Sequence, residues 1–213
     1  MSAIKTNALL PALQQTTEEL IRQFDQISPK RQLILQQLTT FIQTRYASGI
    51  PVYLNFICTH NSRRSHIAQL WAQAAAHYYQ VPKVICFSGG TEATAFNPRA
   101  VRALQKAGFS IAVTREGDNP VYEVRFAAGV APVVSFSKTY DDPVNHNQDF
   151  AAVMTCSHAD ENCPLVPGAT ARIALTYDDP KNFDGTALEE SKYTERMREI
   201  GRELLFAFSR VKP

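Results

Sequence analysis

Hydrophobic residues recur three or four positions apart in two stretches near the N-terminus, which is the spacing of one face of an α-helix. The second stretch follows Ser28-Pro29, a pair that caps a helix and opens its first turn. The pattern therefore predicts a helical hairpin over residues 1–48, whose apolar faces either pack on the rest of the chain or pair with a second copy in a homodimer. The pattern is carried by Leu9, Leu10, Leu13, Leu20, Ile21 and Phe24 in the first stretch and by Leu33, Ile34, Leu38, Phe41 and Ile42 in the second.

From Val52 onward, short apolar runs alternate with longer amphipathic stretches. The short runs have the length of strands, and the longer stretches have helical spacing. Strands that alternate with helices imply an α/β fold, with a parallel sheet, helices on both faces, and a ligand site at the carboxyl ends of the strands. The predicted strands are 52–58, 83–87, 152–155 and 171–175, and the predicted helices are 66–79, 98–107 and 191–211.

Two alternating β-rich runs, 121–126 and 133–140, interrupt this order. Gly129 and Pro132 lie between them, which is typical of a hairpin. We therefore predict a β-hairpin within an insertion at about residues 118–146. The chain then divides into a helical hairpin at 1–48 and an α/β domain at 49–213.

Composition limits the partners. The net charge of the 213 residues is only +2, and no basic stripe with interleaved aromatic residues occurs, so no nucleic acid partner is expected. No apolar run reaches the ~18 residues needed to span a membrane, and no N-terminal segment has the order of a secretory signal. We expect a cytoplasmic protein with no membrane partner, whose four cysteines are reduced and serve catalysis or redox chemistry. Cys86, inside an apolar run, is interpreted as a packing residue.

Cys58 stands where the first predicted strand of the α/β domain ends and a turn leads into a helix. Such a turn points backbone N–H groups and the positive end of the helix dipole at one spot, which favours a tetrahedral oxyanion and the thiolate form of the cysteine. Arg64 can fold back and fork two N–H bonds onto that anion. Ser65 can donate its hydroxyl to the sulfur, and Asn61 can brace the loop. The alternative is a buried structural cysteine before a solvated basic turn.

The spacing of Cys58, Arg64 and Ser65 resembles the oxyanion loop of low-molecular-weight protein tyrosine phosphatases and of the thioredoxin-coupled arsenate reductases that share their fold. Three later segments are similar to the reductases in particular: SGGTEATAFNP at 88–98, VMTCSHADENCP at 153–164 and YDDP at 177–180. The resemblance covers residues 50 to 210, so it implies a catalytic domain at 49–213 to which the hairpin 1–48 is an addition. The oxyanion-binding residues it implies are Thr59, His60, Asn61, Ser62, Arg63, Arg64 and Ser65.

Two positions depart from the family loop, which usually has glycine where this chain has His60 and cysteine where it has Arg63. A histidine narrows the mouth of the loop if that position needs a positive φ. An extra arginine beside Cys58 deepens the positive potential there.

The resemblance to the reductases implies a thiol relay. Cys58 would bind arsenate covalently, Cys156 would attack Cys58 and release arsenite, and Cys163 would attack Cys156 to leave a disulfide for an external reductant. A thioredoxin-like protein or another small thiol would supply the electrons. No tightly bound cofactor and no metal are implied, and the loop would hold phosphate, sulfate or arsenate.

The family also supplies a proton from an aspartate that precedes a proline. Both Asp142 and Asp179 fit that description. Chain order favours Asp179, because the family acid follows the cysteine pair, and Asp142 is interpreted as a turn residue. If Ser157 to Cys163 is helical, Cys156 and Cys163 are held roughly 10 Å apart, beyond the ~7 Å limit for a disulfide, so this segment must unwind during turnover.

The loop alone does not distinguish arsenate from phosphate, since both are tetrahedral anions. Arsenate reduction is the preferred function. The alternatives are a low-molecular-weight phosphatase acting on phosphotyrosine or small phosphate esters, which needs only water for its second step, and a non-catalytic phosphate-binding regulatory module. A zinc site made of Cys156, His158 and Cys163 lacks the usual spacing and fourth ligand.

Overall fold

A four-stranded parallel sheet forms the centre of the computed structural model, which describes residues 8–162 and 165–212. The strand order is β2-β1-β6-β7, so the strand that ends at the candidate nucleophile lies inside the sheet between two partners. The strands are β1 Val52–Cys58, β2 Val84–Gly90, β6 Phe150–Met154 and β7 Ala169–Ala174. The predicted α/β class with a parallel sheet flanked by helices is therefore confirmed.

The two faces of β1 reach two different hydrophobic clusters, because successive side chains of a strand point to opposite faces. Val52, Leu54 and Phe56 are fully buried in the larger cluster, which includes helix residues from α1, α2, α3, α4 and α6. Ile57 belongs to the smaller cluster on the opposite face, beside the short helix α5. The helices are α1 Pro11–Ile21, α2 Pro29–Ala47, α3 Arg64–Tyr78, α4 Pro98–Ala107, α5 Ser157–Asn162 and α6 Glu189–Ser209.

The predicted N-terminal hairpin is present as α1 and α2. The Ser28 hydroxyl accepts a hydrogen bond of 3.3 Å from the Arg31 N–H and so caps α2, as its sequence predicts. Both helices contact α6 of the same chain, and the apolar positions of the pattern are largely buried there. Leu33 is an exception at 71% exposed. A homodimer through residues 1–48 would therefore have to use the outer surface of this hairpin.

The insertion contributes β4 and β5 to a separate antiparallel sheet in the order β3-β4-β5, whose first strand lies before residue 118 and is not predicted by the sequence pattern. These strands are β3 Ser110–Arg115, β4 Val121–Arg125 and β5 Val133–Ser135. The predicted hairpin is confirmed as β4 and β5, but its second strand is wrong beyond residue 135. Residues 138–140 turn back toward the main sheet, where the Gly90 N–H donates to the Lys138 carbonyl (2.9 Å) and the Tyr140 N–H donates to the Gly90 carbonyl (2.9 Å). The insertion thus contacts β2 at the edge where the candidate site lies.

No helix within the described parts of the chain combines the length and the apolar character that crossing a bilayer requires.

Candidate active site

Cys58 is the last residue of β1, and its side chain is almost completely buried. Its sulfur lies 3.1 Å from the Ser65 hydroxyl oxygen, which in turn accepts a 2.9 Å hydrogen bond from the Asn61 amide nitrogen. Because the amide nitrogen can only donate, the Ser65 hydroxyl keeps its own proton for the sulfur. The arrangement therefore directs a hydroxyl donor at the sulfur of Cys58.

Asn61 fixes the shape of the loop between β1 and α3. Its amide oxygen accepts the Lys138 N–H at 2.9 Å, so the returning segment of the insertion holds the amide in the orientation that serves Ser65. Asn61 also has a φ of +43°, a left-handed conformation that asparagine tolerates better than most residues. The positive φ thus falls at Asn61 and not at His60, so the loop accepts a histidine at position 60 without backbone strain.

The N-terminus of α3 faces the same loop. No side chain caps this end of the helix, so no capping oxygen competes for the N–H groups of its first turn. Those N–H groups, with the positive end of the helix dipole, form a site suited to an anion next to Cys58.

Two arginines at this helix start share one carboxylate. Arg64 donates to Asp179 at 2.7 Å, and Arg63 donates to it at 2.9 Å and 3.4 Å through two nitrogens. A second nitrogen of Arg64 donates to the Tyr177 carbonyl at 2.8 Å. Burial would raise the pKa of Asp179, but the positive charges of Arg64 and Arg63 outweigh it and hold this pKa below its ordinary value.

Asp179 and Asp142 have different surroundings. Asp179 precedes a short 3-10 helix, Pro180–Phe183, and lies in one narrow cleft with Cys58 and Arg64. Asp142 instead accepts the Val144 N–H at 2.9 Å within a turn of the insertion. Its contacts therefore fit the interpretation of a turn residue.

Cys156 follows β6 and lies beside the loop. Its sulfur is buried and lies 3.5 Å from the hydroxyl of Thr59, the residue after Cys58. The same hydroxyl lies 3.3 Å from the His158 Nδ1, and the Ala159 N–H donates to the sulfur at 3.4 Å. Cys156, the second thiol of the predicted relay, thus lies beside Thr59 at the start of the oxyanion loop.

Cys163 lies outside the described residues, so neither its pairing with Cys156 nor the zinc alternative can be placed. Within residues 8–162 and 165–212, no three His, Cys, Asp or Glu side chains form a group that could hold a metal ion. The predicted short helix after Cys156 is present as α5. Cys86 is buried in the larger hydrophobic cluster, and burial raises the pKa of its thiol, which fits a packing residue.

The sequence did not reveal why the segment 88–98 has two glycines at positions 89 and 90. A Cβ atom on Gly90 would lie 2.6 Å from the Asn61 nitrogen and 2.7 Å from the Thr59 oxygen, both backbone atoms of the oxyanion loop. The segment therefore supports the loop by close backbone approach. The only signal in the sequence is a pair of glycines at a strand end.

Gly90→Ala is expected to move the oxyanion loop, because the new methyl group has no space against it. We expect a loss of about 1–3 kcal/mol in the free energy of unfolding and a roughly tenfold loss in kcat/KM from the displaced loop. Urea unfolding and steady-state kinetics measure the two effects. Gly129→Ala is the control, because Gly129 has a φ of +73° with no neighbour within 4 Å. That variant should lose stability and keep its kcat/KM, and equal kinetic losses in both variants would contradict the assignment.

Two buried groups behind the loop were also missed. Burial lowers the pKa of Lys138 to about 8. His66, which stacks on Phe96 and lies 3.3 Å from the Ser88 hydroxyl, is fully buried, and burial followed by the charge of Lys138 holds its pKa well below the ordinary value. His66 is therefore neutral at physiological pH and acts as part of the core.

Known arsenate reductases are similar in sequence to this chain over most of its length. The chain is 31% identical over 150 residues to the arsenate reductase of Bacillus licheniformis, an alignment that covers 70% of this chain and 89% of that protein. It is 29% identical over 150 residues to the arsenate reductase of Bacillus subtilis, with the same coverage. No protein-family model matches.

Solved structures with a similar chain course include members of two enzyme classes. A low-molecular-weight phosphotyrosine phosphatase from Vibrio cholerae O395 superposes with a TM-score of 0.48 at 13% identity, covering 74% of this chain and 94% of that one. An arsenate reductase from Archaeoglobus fulgidus superposes with a TM-score of 0.48 at 17% identity, covering 73% of this chain and 98% of that one.

Proposed function

Because the chain belongs to the arsenate reductase family, we propose that it reduces arsenate to arsenite through a covalent cysteinyl-arsenate and a disulfide relay. The observation that carries this proposal is the position of Cys156, a second buried thiol whose sulfur lies 3.5 Å from the Thr59 hydroxyl in the oxyanion loop. A phosphatase, which completes its reaction with water, has no use for that thiol. A reductase needs it as the source of electrons.

In the first proposed step the Cys58 thiolate attacks arsenic. A bond forms between sulfur and arsenic, and an oxygen of arsenate leaves as water after it receives a proton. Asp179 is proposed as the proton donor, because its carboxyl lies in the same cleft as Cys58 and Arg64. The N–H groups of residues 59–65 and the guanidinium of Arg64 are proposed to hold the remaining oxygens.

In the second step the Cys156 thiolate attacks the sulfur of Cys58. A disulfide bond forms, the bond between sulfur and arsenic breaks, and its electron pair stays on arsenic, which leaves as arsenite. Cys163 is then proposed to attack Cys156 and free Cys58. The resulting disulfide accepts two electrons from a thioredoxin-like protein or another small thiol. Because the relay starts from reduced thiols, we propose a cytoplasmic location.

The proposed division into residues 1–48 and 49–213 assigns catalysis to the second part and support to the first. Arg31 of α2 lies with its guanidinium carbon 4.5 Å from the centre of the Tyr177 ring, and it donates to Glu203 of α6 at 2.8 Å and 2.9 Å. The carbonyl of Tyr177 is the acceptor for Arg64. The hairpin 1–48 is thus proposed to support the loop that carries Asp179.

Hydrolysis of phosphate esters is kept as a second candidate function. Cys58, Arg64 and Asp179 line one cleft, and a thiolate, an anion clamp and a carboxyl are all that such a hydrolysis needs. The two functions share their first step and separate only at the second.

One experiment compares the candidates directly. Oxidation of NADPH is followed with arsenate, thioredoxin and thioredoxin reductase, and hydrolysis of p-nitrophenyl phosphate is followed in parallel. We expect oxidation of NADPH that depends on both arsenate and the protein. Fast ester hydrolysis without reduction would replace the proposal by the phosphatase. Binding of phosphate with neither activity would replace it by a non-catalytic module.

A further inference from the structure

We propose that Asp179 is an internal ligand of the oxyanion site in the free protein, and that the side chain of Arg63 holds this acid and not the substrate. The inference rests on the proposed function, because it assigns separate tasks to two neighbouring arginines of the same site. It gives Arg63 the task of positioning the acid, whereas Arg64 remains the anion clamp.

The contacts of Asp179 are those of a bound anion. Its two oxygens receive N–H bonds from Arg63 (2.9 Å and 3.4 Å), from Arg64 (2.7 Å) and from the backbone of Lys181 (3.0 Å). The side chains of Arg63 and Arg64 are only 9% and 12% exposed, so water screens these ion pairs weakly. The carboxylate therefore occupies the donors that a tetrahedral oxyanion would otherwise attract.

The cleft itself is closed by this arrangement. It is lined by Cys58, His60, Ser62, Arg63, Arg64 and Asp179, and it is too narrow for a water-sized sphere. An oxyanion that reaches Cys58 must therefore displace Asp179 from Arg64. The Arg64 Nε, buried and without a partner among the described residues, is a donor ready for an oxygen of that anion.

Arg63 differs from Arg64 in where its donors go. Arg64 divides its donors between Asp179 and the Tyr177 carbonyl, whereas Arg63 directs both of its bonding nitrogens to Asp179. When an oxyanion takes Arg64, Arg63 can keep the carboxylate at the edge of the cleft. The acid then stays within reach of the leaving oxygen instead of moving into solvent.

Substrate binding is coupled to protonation by this exchange. In the free protein the two arginines hold the pKa of Asp179 low, so the carboxyl is ionised. When Arg64 pairs with a bound dianion instead of Asp179, the carboxylate loses one adjacent positive charge and gains a negative charge nearby. The pKa of Asp179 therefore rises, and it takes up the proton that it later donates. The charged and titratable groups that face Asp179 are Cys58, His60, Arg63 and Arg64 across the cleft, Asp178 and Lys181 on its own loop, and Lys192, Tyr193, Glu195 and Arg196 on α6.

Sulfate binding tests the assignment without turnover. Titration calorimetry uses the full chain with Cys58→Ser, which removes the titration of the thiol, at pH 7. Asp179→Asn should bind sulfate at least fivefold more tightly, because the amide does not compete for Arg64. Arg63→Gln should bind at least threefold more weakly, because Arg64 is then the one of the two arginines that still pairs with Asp179 and competes with the sulfate for it. The double variant should lie within twofold of Asp179→Asn.

The parent, the two single variants and the double variant form a double-mutant cycle, and its possible outcomes are distinct. If Arg63→Gln weakens sulfate binding by the same factor with and without Asp179, then Arg63 binds the anion and the inference is wrong. Unchanged binding in Asp179→Asn would also overturn it. Arg102→Gln removes the same charge from an exposed position on α4 and should leave the affinity unchanged. If the cycle behaves as expected but arsenate is not reduced, the proposed function fails and this inference stands.

The pH profile gives a second readout. Arg63→Gln should move the alkaline limb of the kcat profile to higher pH, because kcat reports the substrate complex, in which the carboxyl keeps its proton to higher pH once one positive charge is gone. A rise in KM with an unmoved limb would instead mark Arg63 as a ligand of the oxyanion.

Discussion

Cys156→Ser is expected to reduce arsenate turnover by on the order of 10³-fold or more, since a serine hydroxyl cannot attack the sulfur of Cys58 or take part in a disulfide. The first step should survive, because Cys58, Arg64 and Asp179 are untouched. Hydrolysis of p-nitrophenyl phosphate, where the protein shows it, should therefore stay within about twofold of the parent rate. Coupled NADPH oxidation and ester hydrolysis on the same preparation measure the two reactions.

The variant also predicts where the reaction stops. Mass spectrometry of the stalled protein should find the arsenic adduct on Cys58 and no disulfide. Cys86→Ser is the matched control, because Cys86 is another buried thiol that lies in the larger hydrophobic cluster away from the cleft. It should keep both activities. Equal loss of arsenate turnover in the two variants, or full turnover in Cys156→Ser, would remove the relay from the proposed mechanism.

The main features of the fold could be predicted because burial leaves a periodic pattern in the sequence. β1 is buried along nearly its whole length, and the apolar faces of α1 and α2 lie against α6, so their spacing shows directly in the residues. β3 leaves no such pattern, because most of its residues are exposed. Its strand conformation comes from pairing with β4, a tertiary contact that no local pattern carries.

The end of β5 could not be predicted for a related reason. Residues 136–140 alternate like a strand, but the backbone of Lys138 and Tyr140 bonds to Gly90, and the Lys138 N–H also holds Asn61. This run can pair with β4, which is close in sequence, or with β2, which is not. The point at which it leaves β4 for β2 is therefore not visible in the sequence. The insertion is consequently part of the support of the oxyanion loop.

The candidate site, like the fold, could be predicted from the sequence only in part. Cys58, Arg64 and Ser65 lie within eight consecutive residues, so their spacing alone suggests an oxyanion loop. The pairing of Arg63 with Asp179 joins positions 116 residues apart, and the acceptor of Arg64 at Tyr177 is a backbone carbonyl, which has no residue-specific signal. Long-range pairs and backbone acceptors of this kind become visible only when the chain is folded.

Arg64→Lys is expected to lower kcat/KM for arsenate by roughly 10²–10³-fold although it keeps the charge. Arg64 now divides its planar donors between Asp179 and the Tyr177 carbonyl, and the proposed mechanism turns that fork onto two oxygens of the substrate. An ammonium is a compact charge with three tetrahedrally arranged donors, so it cannot reproduce the two parallel N–H bonds of the planar guanidinium. Ester hydrolysis, where present, should fall by the same factor, because both reactions use the same first step.

The control for this substitution is Arg102→Lys, in which an arginine of α4 that is 59% exposed receives the same change. It should leave kcat/KM within about twofold of the parent. Urea unfolding should find both variants folded, since the Arg64 charge that pairs with Asp179 is preserved. Because the lysine still attracts anions, sulfate affinity should fall less than kcat/KM does. If Arg64→Lys keeps full kcat/KM for arsenate, the forked clamp is excluded and only the charge at position 64 matters.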